Sequence, residues 1–257
     1  MENCKKINFA KTSPEHWDRY YSRNEKIRNL YLPSDFLISN IQRILGDEVK
    51  EKRILETGCG KGLESIVLSR MGADVTVVDY SEKNIQLLMR KCAEENIFLH
   101  INLGDLRTIT FETEAFDLIF HSGVLEHFTD LEQDTILQQQ RCWLKKGGFL
   151  FMEVPQRWNI YTIYKKFLMC LDRWPPGWEI EFSEAELRSM LQRNGLKILE
   201  IFGRDLFTLM VIRKIKKLLG FQEKPPSSGI RWLRNKLQGN RLLRHFYVNI
   251  AAIAVKE

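Results

Sequence analysis

Cysteine is scarce in this chain and shows no pattern. Cys4, Cys59, Cys92, Cys142 and Cys170 are five in number, far apart, and form no C-x-x-C pair. That excludes a disulfide framework, offers no metal-ligating spacing, so that no metal is expected, and fits a reducing compartment. A long apolar run is also missing. The stretch Tyr247 to Val255 is too short to span a bilayer and reads as a buried strand. The first residues, MENCKKINFAKTSPEHW, have no apolar core. No secretory signal is read there, and a cytoplasmic location is expected. Internal repeats and low-complexity tracts are absent too; KPPSSG, Lys224 to Gly229, reads as a loop.

What is present is enough for one large α/β domain: 257 residues, 44% of them hydrophobic. The formal charge of +6 is unevenly placed. Arg204 to His245 holds eleven Lys and Arg against two acids, Asp205 and Glu223, which leaves the rest of the chain slightly acidic. Ser13 and Pro14 open a helix, and Ser34 to Leu45 forms a second that stops at Gly46. From Arg53 onward strand and helix patterns alternate: RILET, a helix from Gly62 to Met71, DVTVVD, a helix from Ser81 to Glu95, FLHIN, FDLIFH, a helix to Trp143, GGFLFMEV. Thr129 with Glu132, and Ser183 with Glu186, read as capping boxes. KILEIF and YVNIAAIAV are the last strands. Such alternation predicts a parallel, doubly wound sheet whose ligand sits at the carboxyl ends of its strands.

The stretch ETGCGKG, Glu56 to Gly62, falls at the end of the first strand. A P-loop needs a longer loop and Lys-Ser/Thr, which are lacking. The dinucleotide fingerprint needs Gly or Ala at its sixth position, where this chain has Leu63. The third reading is E-x-G-x-G-x-G followed by Asp79 at the end of the second strand. That pattern resembles class I S-adenosylmethionine-dependent methyltransferases. So do GDL at Gly104 to Leu106, FDLIFHSGVLEHF at Phe116 to Phe128 and LKKGGFLFMEVP, in the same order. The segment with LEHF is similar to the small-molecule branch.

The resemblance implies a Rossmann-like, doubly wound, seven-stranded sheet with its last strand antiparallel. N-terminal helices over 1–50 would cap a core of 51–204 and 245–257, and a basic helical insertion over 205–244 would lie between the last two strands. The cofactor would be S-adenosylmethionine. Glycine at 58 and 60 lets backbone approach the methionine part, and Glu56 is assigned to the same end. Asp79 can accept from both ribose hydroxyls; its alternative is a cap on the helix after Ser81. The resemblance places Tyr80 against the adenine, Asp105 and the Leu106 backbone on its amine, and His121 along the methionine part. Trp17 and Tyr20, in HWDRYY, would fold over the cofactor.

For chemistry His127 is the candidate general base, since an imidazole titrates near neutrality and the family puts this position near the methyl. Local packing of His127 is the competing account. No N/D-P-P-Y/F follows the fourth strand and Gln156 stands after Pro155, so nucleic-acid and protein acceptors are disfavoured. A small-molecule or lipid-like acceptor, taking the methyl on O or N, is expected. Trp158, Tyr161, Tyr164, Phe167 and Trp174 could line an apolar lid. Over 206–219, apolar Val211, Ile212, Ile215, Leu218 and Leu219 share one helical face and Arg213, Lys214, Lys216 and Lys217 the other. Such a helix either docks on the domain, the favoured account, or makes peripheral contact with an anionic membrane face. The rival functions are a non-catalytic cofactor-binding module, a nicotinamide-dependent oxidoreductase, and an RNA methyltransferase using the basic insertion.

Overall fold

Seven strands form one sheet in the computed structural model, which describes residues 13–23, 33–46, 49–171, 174, 178–206 and 247–257. They are β1 (Arg53–Thr57), β2 (Asp74–Asp79), β3 (His100–Leu103), β4 (Phe116–Ser122), β5 (Leu144–Pro155), β6 (Lys197–Leu206) and β7 (Tyr247–Val255). Their order is β3-β2-β1-β4-β5-β7-β6. The first five run parallel, and β7 is antiparallel to both β5 and β6. The chain therefore winds outward from β1 to β3 and returns to the other side of β1 at β4. Between β1 and β4 the two crossovers leave in opposite directions and open a crevice at the carboxyl ends.

Among the described residues seven helices accompany the sheet: α1 (Pro14–Arg23), α2 (Asp35–Leu45), α3 (Leu63–Arg70), α4 (Glu82–Glu95), α5 (Asp130–Trp143), α6 (Ile160–Cys170) and α7 (Glu184–Arg193). Their ends are chemically marked. Ser34 and Ser81 accept from the backbone of Leu37 and Asn84. Both predicted capping boxes form, at α5 and α7. Strand side chains alternate between two cores. Ile54, Val77, Phe120 and Phe151 face Phe36 and Ile41 of α2, with Ile66 and Leu88 of α3 and α4. Leu55, Ile119, Leu150 and Met152 face Ile136 of α5 and Leu187 and Met190 of α7. Burial at about 25 cal/mol per Å² in these two apolar layers fixes the sheet between its helices, and with it the strand ends above which the crevice lies.

Some boundaries differ from the sequence reading. β3 begins at His100 and not at Phe98, because Ile97 N–H is still closing α4 on Cys92 O, and the pairing to β2 starts at Thr76↔His100. The segment taken for an apolar lid contains α6, capped by Asn159, whose Oδ1 accepts from Thr162 N–H at 2.9 Å. Trp158, Tyr164 and Phe167 are exposed. β6 runs to Leu206, so the first residues allotted to the insertion are strand. The remainder of the insertion, including most of the 206–219 pattern, lies outside the described residues. No helix among the described residues is long and apolar enough to cross a membrane.

Candidate functional site

The turn after β1 passes through three left-handed glycines, with φ of 66° at Gly58, 52° at Gly60 and 59° at Gly62. None of the three has free room for a side chain, and a Cβ on Gly62 would stand 2.9 Å from Leu88 Cδ1. A Cβ on Gly58 would stand 2.6 Å from Val124 Cγ2, and one on Gly60 would stand 2.9 Å from Tyr21 Oη. The backbone N–H groups of Gly58 and Cys59 are tied to Val78 O at 2.8 and 3.1 Å, which holds the turn against the end of β2. Asp79 completes the tie. Its Oδ2 accepts from Gly60 N–H at 2.8 Å and its Oδ1 from Ser81 N–H at 2.9 Å. Asp79 thus braces the turn and walls the cleft at once, while Ser81 is the cap of α4. Burial raises its pKa, and the backbone donors only partly offset that.

α1 closes over this turn through Asp18. Its carboxylate accepts from the Ser81 hydroxyl and, at 3.4 Å, from Lys83 N–H, at the start of α4. An acid at a helix N-terminus is the favourable sign. The docking brings the Trp17 ring edge-on to His127, with centroids 5.0 Å apart.

The result is one cleft of about 520 Å³, counting its open side. From the sequence candidates it gathers Trp17, Gly58, Asp79, Tyr80, Asp105, Leu106 and His127. Tyr21, Gly104, Gly123, Val124 and Phe128 line it too. Glu56, Gly60, His121 and Tyr20 are not on its wall. Glu56 is buried and accepts from Ser65 Oγ; burial, then the charge of Glu64, pushes its pKa well up. Tyr20 packs edge-on against both Trp17 and Tyr21. Tyr21 follows Trp17 at i+4 and Tyr20 at i+3, and both spacings fall on one helical face. The sequence therefore carries no signal that selects Tyr21. His121 is 1% exposed and pairs in register with Met152, so it faces the α5 and α7 core. Among the described residues neither ring nitrogen has a hydrogen-bond partner, and burial lowers its pKa to about 3.

Asp105 reaches the cleft already engaged. Arg107 Nε donates to its two oxygens at 2.9 and 3.0 Å, the Arg107 backbone N–H donates at 2.9 Å, and Arg107 also bonds Glu132 at 3.0 Å. Burial raises the Asp105 pKa, but Arg107 outweighs it and the net shift is downward.

His127 closes a short 3₁₀ turn, Leu125–His127. Its Nδ1 lies 2.8 Å from Trp178 O. A carbonyl only accepts, so Nδ1 carries the hydrogen and the neutral ring keeps its lone pair on Nε2. Burial lowers the His127 pKa, against the pull of the Trp178 carbonyl and Glu179. One ring nitrogen of His127 and one oxygen each of Glu126 and Glu179 lie within 4.8 Å of one another. These are donor types that suit a metal, but Glu179 already carries a buried cation, the ammonium of Lys165.

A sheet of this order, with a glycine turn after β1 and an acid ending β2 above the β1/β4 crevice, defines a class I S-adenosylmethionine-dependent methyltransferase. A family model described as a methyltransferase domain matches residues 28–201, and the chain belongs to that family. The ubiquinone biosynthesis O-methyltransferase of Coxiella burnetii is 27% identical over 207 residues, covering 79% of this chain and 86% of that one. The mitochondrial enzyme of the same description from Homo sapiens is 27% identical over 211 residues, covering 76% of this chain and 56% of the human one. In fold, the chain is similar to magnesium protoporphyrin IX methyltransferase from Synechocystis PCC 6803, with a TM-score of 0.59, 16% identity and 99% of each chain covered. It is also similar to geranyl diphosphate C-methyltransferase from Streptomyces coelicolor A3(2), with a TM-score of 0.63 and 16% identity over 86% of this chain and 78% of that one. The nicotinamide-dependent oxidoreductase and the non-catalytic module are set aside by these matches.

Proposed function

We propose that the protein methylates an oxygen or nitrogen of a small-molecule acceptor held beside His127. The observation that carries this reading is the Nδ1 bond of His127 to Trp178 O, which leaves a lone pair on Nε2 of a residue that lines the cleft. Relatives described as acting in ubiquinone biosynthesis favour O-methylation of a hydroxyl. Lipid-like acceptors fit the same class.

The residues present suit the cofactor. Gly58 brings bare backbone to the cleft wall, Gly60 behind it holds the turn through its bond to Asp79, and the Asp79 carboxylate at the wall can take ribose hydroxyls. Asp105 and the Leu106 backbone would receive the adenine, Tyr80 would pack on it, and Trp17 with Tyr21 would cover it. Glu56 would act from behind the turn through Ser65. His121, packed into the core, would support β4. The bound cofactor supplies an activated methyl on a sulfonium. His127 would take at Nε2 the proton that the acceptor O–H or N–H gives up when it is methylated, with Nδ1–H held on Trp178 O. Water exclusion falls to α1, whose Trp17 stands against the imidazole.

The amphipathic basic pattern over 206–219 would dock on the domain and cover the acceptor, its charged face of Arg213, Lys214, Lys216 and Lys217 turned to solvent. Five scattered cysteines with no C-x-x-C pair suit a reducing, cytoplasmic setting. The test is transfer of labelled methyl from S-adenosylmethionine to a panel of phenols, alcohols and amines and to an organic-solvent extract of cells. Reproducible label in an extractable small molecule supports the reading. Label found only in nuclease-sensitive material would replace it with RNA methylation.

A further inference from the structure

One lysine of α6 is buried. The Lys165 side chain is 2% exposed, and its ammonium bonds Glu179 and, at 2.8 Å, Glu181, both of them buried. Its Nζ also stands 5.9 Å from the centre of the Trp174 ring. The two glutamates flank Ile180, and their own segment is tied along its backbone to the turn that carries His127. Ile180 N–H donates to Glu126 O at 2.9 Å, and Trp178 O receives His127 Nδ1 at 2.8 Å. Residues 178–181 are therefore gripped from two directions, by α6 through charge and by residues 126–127 through the backbone.

We propose that Lys165 is a positioning residue for methyl transfer: by holding Glu179 and Glu181 it keeps the Trp178 carbonyl on Nδ1 of His127, so that Nε2 remains the nitrogen able to take a proton. The proposal rests on His127 acting as the base. The groups facing His127 are His16 and Trp17 from α1, Glu126 from its own turn, Glu179 from the 178–181 segment and Lys165 from α6. Lys165 and His16 disfavour a charged imidazole, and Glu179 favours one. Lys165 thus has two effects. It fixes the tautomer through the carbonyl, and it supplies the positive charge that the carboxylates would otherwise draw from the imidazole. Without it, His127 would become their counter-ion and could no longer act as a base.

The hold can be read without knowing the acceptor. In the full-length ¹⁵N-labelled protein saturated with S-adenosylhomocysteine, long-range ¹H–¹⁵N spectra report the protonation of each imidazole nitrogen. The signals of His127 are identified by their loss in His127→Gln. Wild type is expected to show Nδ1 protonated and Nε2 bare. Lys165→Met should lose that single tautomer and shift the His127 midpoint upward, Lys165→Arg should restore the wild-type pattern, and affinity for S-adenosylhomocysteine should stay within about threefold in both, because Lys165 does not line the cleft. If Lys165→Met does not fold, Glu179→Gln takes its place: it leaves Lys165 with Glu181, and the midpoint should then move downward. A wild-type tautomer and midpoint in whichever variant folds would overturn the proposal, as would a wild-type spectrum with the hydrogen on Nε2. Unchanged label transfer by His127→Gln, with the tautomer still responding to Lys165, would sink the base reading and leave the hold of Lys165 on the imidazole standing.

Discussion

On the β1, β2 and β3 side of the cleft the wall is set by the backbone of the glycine turn and by residues at the ends of consecutive strands, all close in sequence. Gly60 and Asp79 are 19 residues apart, and the bond between them closes a single strand-helix-strand unit. On the β4 and β5 side the wall is side chain, assembled from distant pieces. His127 meets Trp178 across 51 residues, and Trp17 reaches the imidazole from the N-terminal helix. A backbone site tolerates few residue types, so it leaves a strict pattern in the chain. A side-chain site can be built in many ways, and its specificity can change while the donor site stays fixed.

The contrast breaks most sharply at the glycine turn. Gly58→Ala must place a side chain 2.6 Å from Val124 Cγ2 at a φ of 66°. The left-handed conformation costs an alanine roughly 1–2 kcal/mol and overpacking about as much again. If the turn moves to relieve this, affinity for S-adenosylhomocysteine, measured by calorimetry, falls about 100-fold. An affinity within threefold of wild type would mean that the donor side is not backbone-limited.

The acceptor side should fail differently. His127→Gln keeps a polar group of similar reach and removes the base, so turnover drops about 100-fold, while affinity for S-adenosylhomocysteine changes by less than about threefold. Comparable losses in both would place His127 in cofactor binding.

Asp79→Ala sharpens the comparison, since it removes the side chain that ties the glycine turn to β2. Gly60 and Ser81 N–H lose their acceptor, and the proposed ribose contact goes with it. A charged hydrogen bond is worth about 2 kcal/mol, or roughly thirtyfold in affinity. A loss of melting temperature without loss of affinity would reduce Asp79 to a brace of the turn.

This division also explains what could be read from the sequence. The sheet was legible because Val, Ile and Phe runs alternate with capped helices, and Ser81, Thr129 and Ser183 announce where those helices begin. Gly58, Asp79 and Asp105 were legible as one cleft because each lies at or just past the carboxyl end of a strand of the same parallel sheet. Tyr21 was hidden by its neighbour Tyr20, one residue away on the same helix. Lys165 was hidden because a lysine beside Lys166 looks solvated until Glu179 and Glu181 fold onto it, and no local pattern records that. His121 follows Phe120 at the end of β4, and the pleat turns it away from the cleft and into the α5 core.

His121 provides the smallest effect at neutral pH and a test of that last point. Its folded-state pKa of about 3 lies below the ordinary value near 6.5, so the unfolded chain binds the proton more readily. The stability tied to its neutral form is complete above pH 6.5 and is lost as pH falls toward 3, by about 1.4 kcal/mol per unit. Glu56 and Glu126, whose pKa values burial raises, run the other way, so the difference between two proteins is the quantity to follow. His121→Leu removes two unpartnered nitrogens from an apolar core, and at pH 7.5 it should change stability by less than about 1 kcal/mol. At pH 5 the variant should be the more stable by about 2 kcal/mol, the gap widening as the pH falls. Parallel urea unfolding of the two proteins at both pH values checks this. A gap that stays constant with pH would mean that His121 finds a partner when it charges, and so that it stands closer to the cleft than to the core.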